Sequence, residues 1–174
     1  GEDVHQKGSL VDEEKLRFDF SHGHAVTDKQ LHAIEQEVNG AIEADLAVHA
    51  KVVPLDDAMR ICGLRAVFGE RYPDPVRVVS IGEPVDQLLE NPSNQEWMNY
   101  SIEFCGGTHL QSSKQAEQFA ILHEQALASG VRRMTAVTGT LAKEVHNAGS
   151  QLMHDIEGAT ALQGESLVEA YGEL

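Results

Sequence analysis

Cys105 and His109 stand four positions apart in "EFCGGTH" (103–109), with Gly106 and Gly107 between them, in a chain with one other cysteine, Cys62. A thiolate and an imidazole so spaced can reach one metal ion if the intervening backbone folds tightly, which two glycines allow. Zinc suits this donor pair and polarises a substrate or water without redox chemistry. The C-x-x-x-H spacing supplies only two of the roughly four ligands a zinc site takes. A second reading makes Cys105 a nucleophile, with His109 or another base in hydrogen-bond reach and the glycines offering N–H donors to an oxyanion. A third is a glycine turn between strands, with Cys105 partly buried and His109 incidental. These residues alone leave all three open, zinc ahead of the nucleophile. His5, His22, His24, His32 and His49 lie in polar stretches, and each by itself reads as a surface residue.

The motif needs elements to hold it. "YSIEF" reads as a short strand that runs directly into Cys105, and the β-branched run "VRVVSIG" reads as a central strand after the turn "YPDP". Leu16, Phe18 and Phe20 alternate with Arg17 and Asp19, the period of a half-buried strand. Thr27 and Gln30 form a T-x-x-Q capping box, and Leu31, Ile34, Val38 and Ile42 fall on one helical face, predicting a helix to about Ala44. "LAVHAKVV" is rich in valine, and "PLDDAMRI" reads as a short helix begun by Pro54 and ended near Gly63. Residues 83–99 read as a surface excursion with one helical turn, tolerant of change. "QFAILHE" and "VRRMTAVTG" read as strands joined by "QALASG". From Thr140 the period becomes helical through Leu141, Val145, Ala148, Leu152, Ile156 and Ala159, predicting an amphipathic helix that needs a partner surface. Strands and helices mix without strict βαβ alternation, so the expected fold is α+β with a largely antiparallel sheet and packed helices.

The 174 residues, with 41% hydrophobic content, suit one domain or one domain with an appended helix. No apolar run approaches the ~20 residues of a membrane span, and "GEDVHQKGS" lacks the apolar stretch of a signal peptide, which predicts a soluble, non-secreted protein with no membrane partner. Gly1 in place of Met is expected of a processed product or a piece of something longer. Two cysteines without a secretory signal favour free or metal-bound thiols. A net charge of -15 argues against a generic polyanion binder, so any nucleic-acid contact must be local. After Lys143 there is no Lys or Arg, while Glu144, Asp155, Glu157, Glu165, Glu169 and Glu173 are acidic, the mark of a solvated segment.

Several segments together resemble the editing domain of alanyl-tRNA synthetase: "QKGSLV" (6–11), "LRFDFSH" (16–22), "GLRAVFGERYPDPVRVVSIG" (63–82), "EFCGGTH" (103–109) and "GVRRMTAVTG" (130–139). The likeness spans the chain to about residue 145 and looks closer to the eukaryotic branch than to the bacterial one. It implies an editing domain over 1–142, then an acidic helical extension or linker over 143–174. The implied activity is hydrolysis of alanine tRNA mischarged with serine or glycine.

In this family zinc is held by two histidines of an H-x-x-x-H helix and by the Cys and His of C-x-x-x-H, which map onto Cys105 and His109. The H-x-x-x-H segment should lie shortly before "QKGS", so those two ligands are expected to be missing here. His5, His22 and His24 are the replacement candidates, with no motif behind them. The resemblance puts Gln6 in the pocket, its amide orienting substrate or water. Gly106 and Gly107 would let the backbone approach the terminal adenosine or the ester, and Thr108 would offer a hydroxyl. Lys7, Arg132 and Arg133 would meet acceptor-end phosphates, the alternative for Arg132 being a strand-surface residue paired to a carboxylate. The implied partners are the acceptor end of alanine tRNA and, within a longer chain, the remainder of a cytoplasmic or mitochondrial synthetase. Its ATP-binding and aminoacylation regions have no counterpart here, so this chain is not expected to charge tRNA. The rival expectation is a catalytically silent tRNA-binding or interaction module.

Overall fold

The computed structural model describes residues 4–66 and 71–160. In chain order the elements are β1 (Gln6–Val11), β2 (Leu16–Ser21), α1 (Asp28–Glu43), β3 (Val48–Val53), α2 (Leu55–Ala58), β4 (Leu64–Arg65), β5 (Val76–Ile81) and α3 (Val85–Glu90). There follow a 3-10 turn (Gln95–Asn99), β6 (Ser101–Phe104), a second 3-10 turn (Ser113–Ala116), β7 (Phe119–Ala128), β8 (Val131–Thr138) and α4 (Gly139–Thr160). The fold is α+β. Its strands form two four-stranded sheets, ordered β1-β2-β8-β7 and β3-β5-β6-β4, and every pairing is antiparallel except β4 with β6.

Local chemistry sets most of these elements. The Thr27 hydroxyl accepts from the Gln30 N–H, and the Gln30 side chain accepts from the Thr27 N–H at 3.0 Å, so both ends of the capping box close and α1 starts at Asp28. Pro54 caps α2, where a missing N–H costs nothing. Val76 and Val78 of β5 lie on the buried side of the second sheet with Ile102 of β6, Val53 of β3, and Ala58 and Ile61 beneath them.

Three expectations change, and one segment without an expectation turns out to be a strand. "QKGSLV", quoted above only as a family motif, is strand β1, because its backbone pairs with β2 from Gln6↔Phe20 to Val11↔Leu16. Residues 83–99 are no tolerant surface excursion: Leu88 is fully buried and Val85 and Trp97 nearly so, since α3 and the 3-10 turn close the core over β5. The "QALASG" link is mostly strand, with β7 continuing to Ala128 and the turn confined to Ser129 and Gly130, where Gly130 takes φ +69°. On α4 the predicted stripe meets the sheet only at Val145, and the first buried residue of the helix is Ala142 rather than Leu141. Ala142 is fully buried against Ala120 and Val137, with Val145 beside it, while Leu141, Leu152 and Ile156 are exposed.

The expected helical stretch 161–174 and residues 67–70 of the long "GLRAVFGE" motif lie outside the described residues.

Candidate functional site

β5 and β6 pair Val79↔Glu103 and Val78↔Phe104, and β6 releases the chain at Cys105. Cys105 is half-buried, and Gly106, Gly107, Thr108 and His109 are exposed. The turn is held from β5. Arg77 Nη1 donates to the carbonyls of Cys105 (2.8 Å) and Gly107 (2.9 Å), and the Cys105 N–H donates back to the Arg77 carbonyl (3.3 Å). The reading of the sequence passed over Arg77. Its signal was a single charge inside the apolar run "VRVVSIG", which a strand tolerates only where the side chain finds acceptors.

Neither glycine of the motif takes a left-handed φ. A Cβ at Gly106 would meet nothing within 4 Å, and one at Gly107 would meet the Cys105 Sγ at 3.6 Å, an ordinary contact. The turn therefore does not require glycine for its own folding. Absence of side chains here leaves bare backbone facing outward, as close approach of a ligand requires.

Between the sheets lies a cleft of about 500 Å³ whose lining includes His5, Gln6, Phe18, Leu64, Arg65 and Glu103. Gln6 reaches it at the start of β1, with Nε2 donating to Ser9 Oγ at 3.1 Å. Glu103 enters from β6, two residues before Cys105, and accepts from Ser101 Oγ at 3.3 Å. Glu103 was not singled out from the sequence, because one acid in a short strand carries no distinguishing pattern. The structure thus brings Gln6 and Glu103 to one cleft, while the Cys105–His109 turn follows directly from the strand that carries Glu103.

The cations separate into two kinds. Lys7 is exposed on β1. Arg132 is paired with Glu124, through Nε to Oε1 and Nη2 to Oε2 (2.7 Å), and Arg133 with Asp19 through 2.6 and 2.7 Å bonds. Adjacent residues on a strand point to opposite faces, so the two pairs lie on opposite sides of the first sheet. The guanidinium hydrogen bonds hold the Glu124 and Asp19 carboxyls below their usual range and raise both arginines.

Cys105 and His109 have the donor chemistry of a zinc site without its number of ligands. Among the described residues no three His, Cys, Asp or Glu side chains gather closely enough to hold a metal ion. His5 lines the cleft, and His22 Nδ1 lies 2.7 Å from the His24 carbonyl, so none of the three replacement candidates completes the set. The residues present do not fit a closed zinc centre. The nucleophile reading gains no support from geometry, since no hydrogen bond links the Cys105 thiol to an imidazole among the described residues.

Residues 76–135 match the threonyl and alanyl tRNA synthetase second additional domain. The chain is 54% identical over 169 residues to the cytoplasmic alanine–tRNA ligase of Dictyostelium discoideum, a match covering 97% of this chain and 18% of the relative. It is 53% identical over 162 residues to the mitochondrial alanine–tRNA ligase of Saccharomyces cerevisiae, covering 93% and 16%. With the alanine–tRNA ligase of Pseudoalteromonas translucida the identity is 41% over 169 residues, covering 97% and 18%. The chain therefore spans 16 to 18% of the length of these relatives.

Proposed function

The chain carries a threonyl and alanyl tRNA synthetase second additional domain, and from that premise we propose that it is the editing part of an alanine–tRNA ligase. Its substrates are Ser-tRNA(Ala) and Gly-tRNA(Ala). A pocket that accepts alanine cannot strongly exclude glycine or serine, so a second, hydrolytic site supplies the discrimination. The editing domain occupies residues 1–142, and 143–174 extend from it.

One observation carries the reading: the cleft that holds Gln6 and Glu103 adjoins a strand exit with bare backbone. In hydrolysis, water adds to the ester carbonyl, loses a proton, and the carbon–oxygen bond to the ribose breaks, releasing the amino acid and a ribose hydroxyl. Gln6 is suited to orient the water, and the Glu103 carboxylate to take its proton and return one to the ribose oxygen. Thr108 offers its hydroxyl to the substrate from the exposed side of the turn. Cys105 and His109 would supply two ligands to the zinc of the family, whose closed site takes two more than the described residues offer. No step above runs through the metal.

The partner is the acceptor end of alanine tRNA, met by Lys7 and by whichever of Arg132 and Arg133 lies on the same face of the first sheet, since the two point to opposite faces. The names of the relatives support a cytoplasmic or mitochondrial setting, and among the described residues no helix is long and apolar enough to cross a membrane. The test is deacylation of Ser-tRNA(Ala). Turnover that falls at least a hundredfold, roughly the cost of one lost catalytic group, in a Gln6→Ala variant and again in Glu103→Gln supports the reading. Turnover unchanged in both sinks it.

The incomplete ligand set favours a second reading, a silent tRNA-binding or interaction module. It predicts binding of an alanine acceptor-stem RNA by the 174-residue chain with no release of serine.

A further inference from the structure

A peptide unit is planar and trans, so its carbonyl and the N–H of the next residue point in opposite directions. Among the described residues the one cis bond is Asp74–Pro75, which leaves all three peptide units of the Cys105–Thr108 turn trans. Arg77 Nη1 takes the carbonyls of Cys105 and Gly107, the first halves of the peptide units that end in the N–H groups of Gly106 and Thr108. Those two N–H groups therefore face away from Arg77. Neither donates to a protein acceptor among the described residues, and both belong to exposed positions. The glycines on either side have no steric or conformational need to be glycine.

Arg77 has no carboxylate within ion-pair distance among the described residues, unlike Arg132 and Arg133. Its charge is directed at two carbonyls. A cation on the oxygen side of a peptide unit polarises it and makes its N–H a stronger donor. We propose that Arg77 is a positioning residue. By pinning the Cys105 and Gly107 carbonyls on one side of the turn, it presents the Gly106 and Thr108 N–H groups on the other, as donors to electron-rich oxygens of the aminoacyl ester. This rests on the editing reading and assigns to the C-G-G-T turn a role in substrate binding through its backbone.

The test uses the 174-residue chain and seryl-3′-amino-3′-deoxyadenosine, in which an amide replaces the scissile ester. Binding is followed by amide NMR and calorimetry, beside Ser-tRNA(Ala) deacylation. On binding, the Gly106 and Thr108 amide protons move downfield. Arg77→Met weakens binding roughly tenfold, the worth of about one hydrogen bond, and Arg77→Lys recovers part of the loss at an unchanged melting temperature. Three results overturn the inference alone: analogue bound with both amides unmoved, Arg77→Met binding as tightly as the parent, or deacylation without analogue binding. Neither binding nor deacylation removes the editing reading and this inference with it. If Arg77→Met does not fold, the two amide shifts in the parent chain decide the matter.

Discussion

Two glycine sites on the second sheet use the same residue for opposite reasons. At Gly63, just before β4, φ is +79° and an added Cβ would lie 2.6 Å from the Trp97 carbonyl oxygen, a backbone atom that cannot step aside. At Gly106, just after β6, φ is ordinary and an added Cβ would meet nothing within 4 Å. The fold requires glycine at the first position and does not require it at the second, which on the editing reading leaves room for the substrate. The same division runs through the arginines. Arg132 and Arg133 are tied to carboxylates inside the first sheet, while Arg77 is spent on the carbonyls of the turn. Position in the fold, rather than residue type, separates structure from site.

That contrast can be broken by substitution. The largest effect is expected at Gly63→Ala, where a strained φ and a backbone clash together cost about 3 kcal/mol or more, read as a fall in the urea midpoint at unchanged slope. Leu88→Ala comes next, at about 3 kcal/mol, because α3 closes the core over β5. An Ala at 88 tolerated within a few tenths of a kcal/mol would restore the surface-excursion reading. Asp19→Asn strands a half-buried guanidinium partner and should lower Tm by a few degrees.

The ion pairs also set a pH dependence. Asp19 and Glu124 have folded pKa values below their unfolded ones, first through the arginine hydrogen bonds. Their stabilisation is therefore complete above the ordinary carboxylate range of about 4 and is lost as pH falls through the lowered folded values. A pH series of melts should steepen below about pH 4 in the parent chain and flatten in Asp19→Asn. Equal slopes would remove these pairs from the account of acid stability. The smallest stability change belongs to Gly106→Ala, within about 0.5 kcal/mol, as for other exposed positions. Its deacylation of Ser-tRNA(Ala) should nonetheless fall, since the methyl group occupies the open approach. Full activity in that variant would make Gly106 an ordinary turn residue.

Much of the local structure was legible because local physics decides it. Alternation at Leu16, Phe18 and Phe20 marked a strand, the Thr27–Gln30 box marked the start of α1, and the β-branched run marked β5. Strand β1 was missed because "QKGSLV" has no buried face of its own and becomes a strand only by pairing with β2. The buried role of Leu88 and Trp97 was missed because prolines and asparagines around them signal turns, while their burial depends on where α3 lies over the sheet. At the candidate site, motif and resemblance drew attention to Cys105, His109, Gln6 and the glycines. They passed over Arg77 and Glu103, since the importance of these two depends on which strand stands beside which.

The sequence by itself determined that a thiol and an imidazole share one short turn, that α1 begins at a capping box, and that the chain carries too many acids to be a general polyanion binder. These follow from covalent spacing and composition, which no packing can alter. Only the tertiary structure decided that Arg77 reaches across from β5 to hold that turn, that Gln6 and Glu103 meet in one cleft, and that Arg132 and Arg133 are tied to acids. Each joins residues far apart along the chain, and their distances are set by strand register and sheet order rather than by any local pattern.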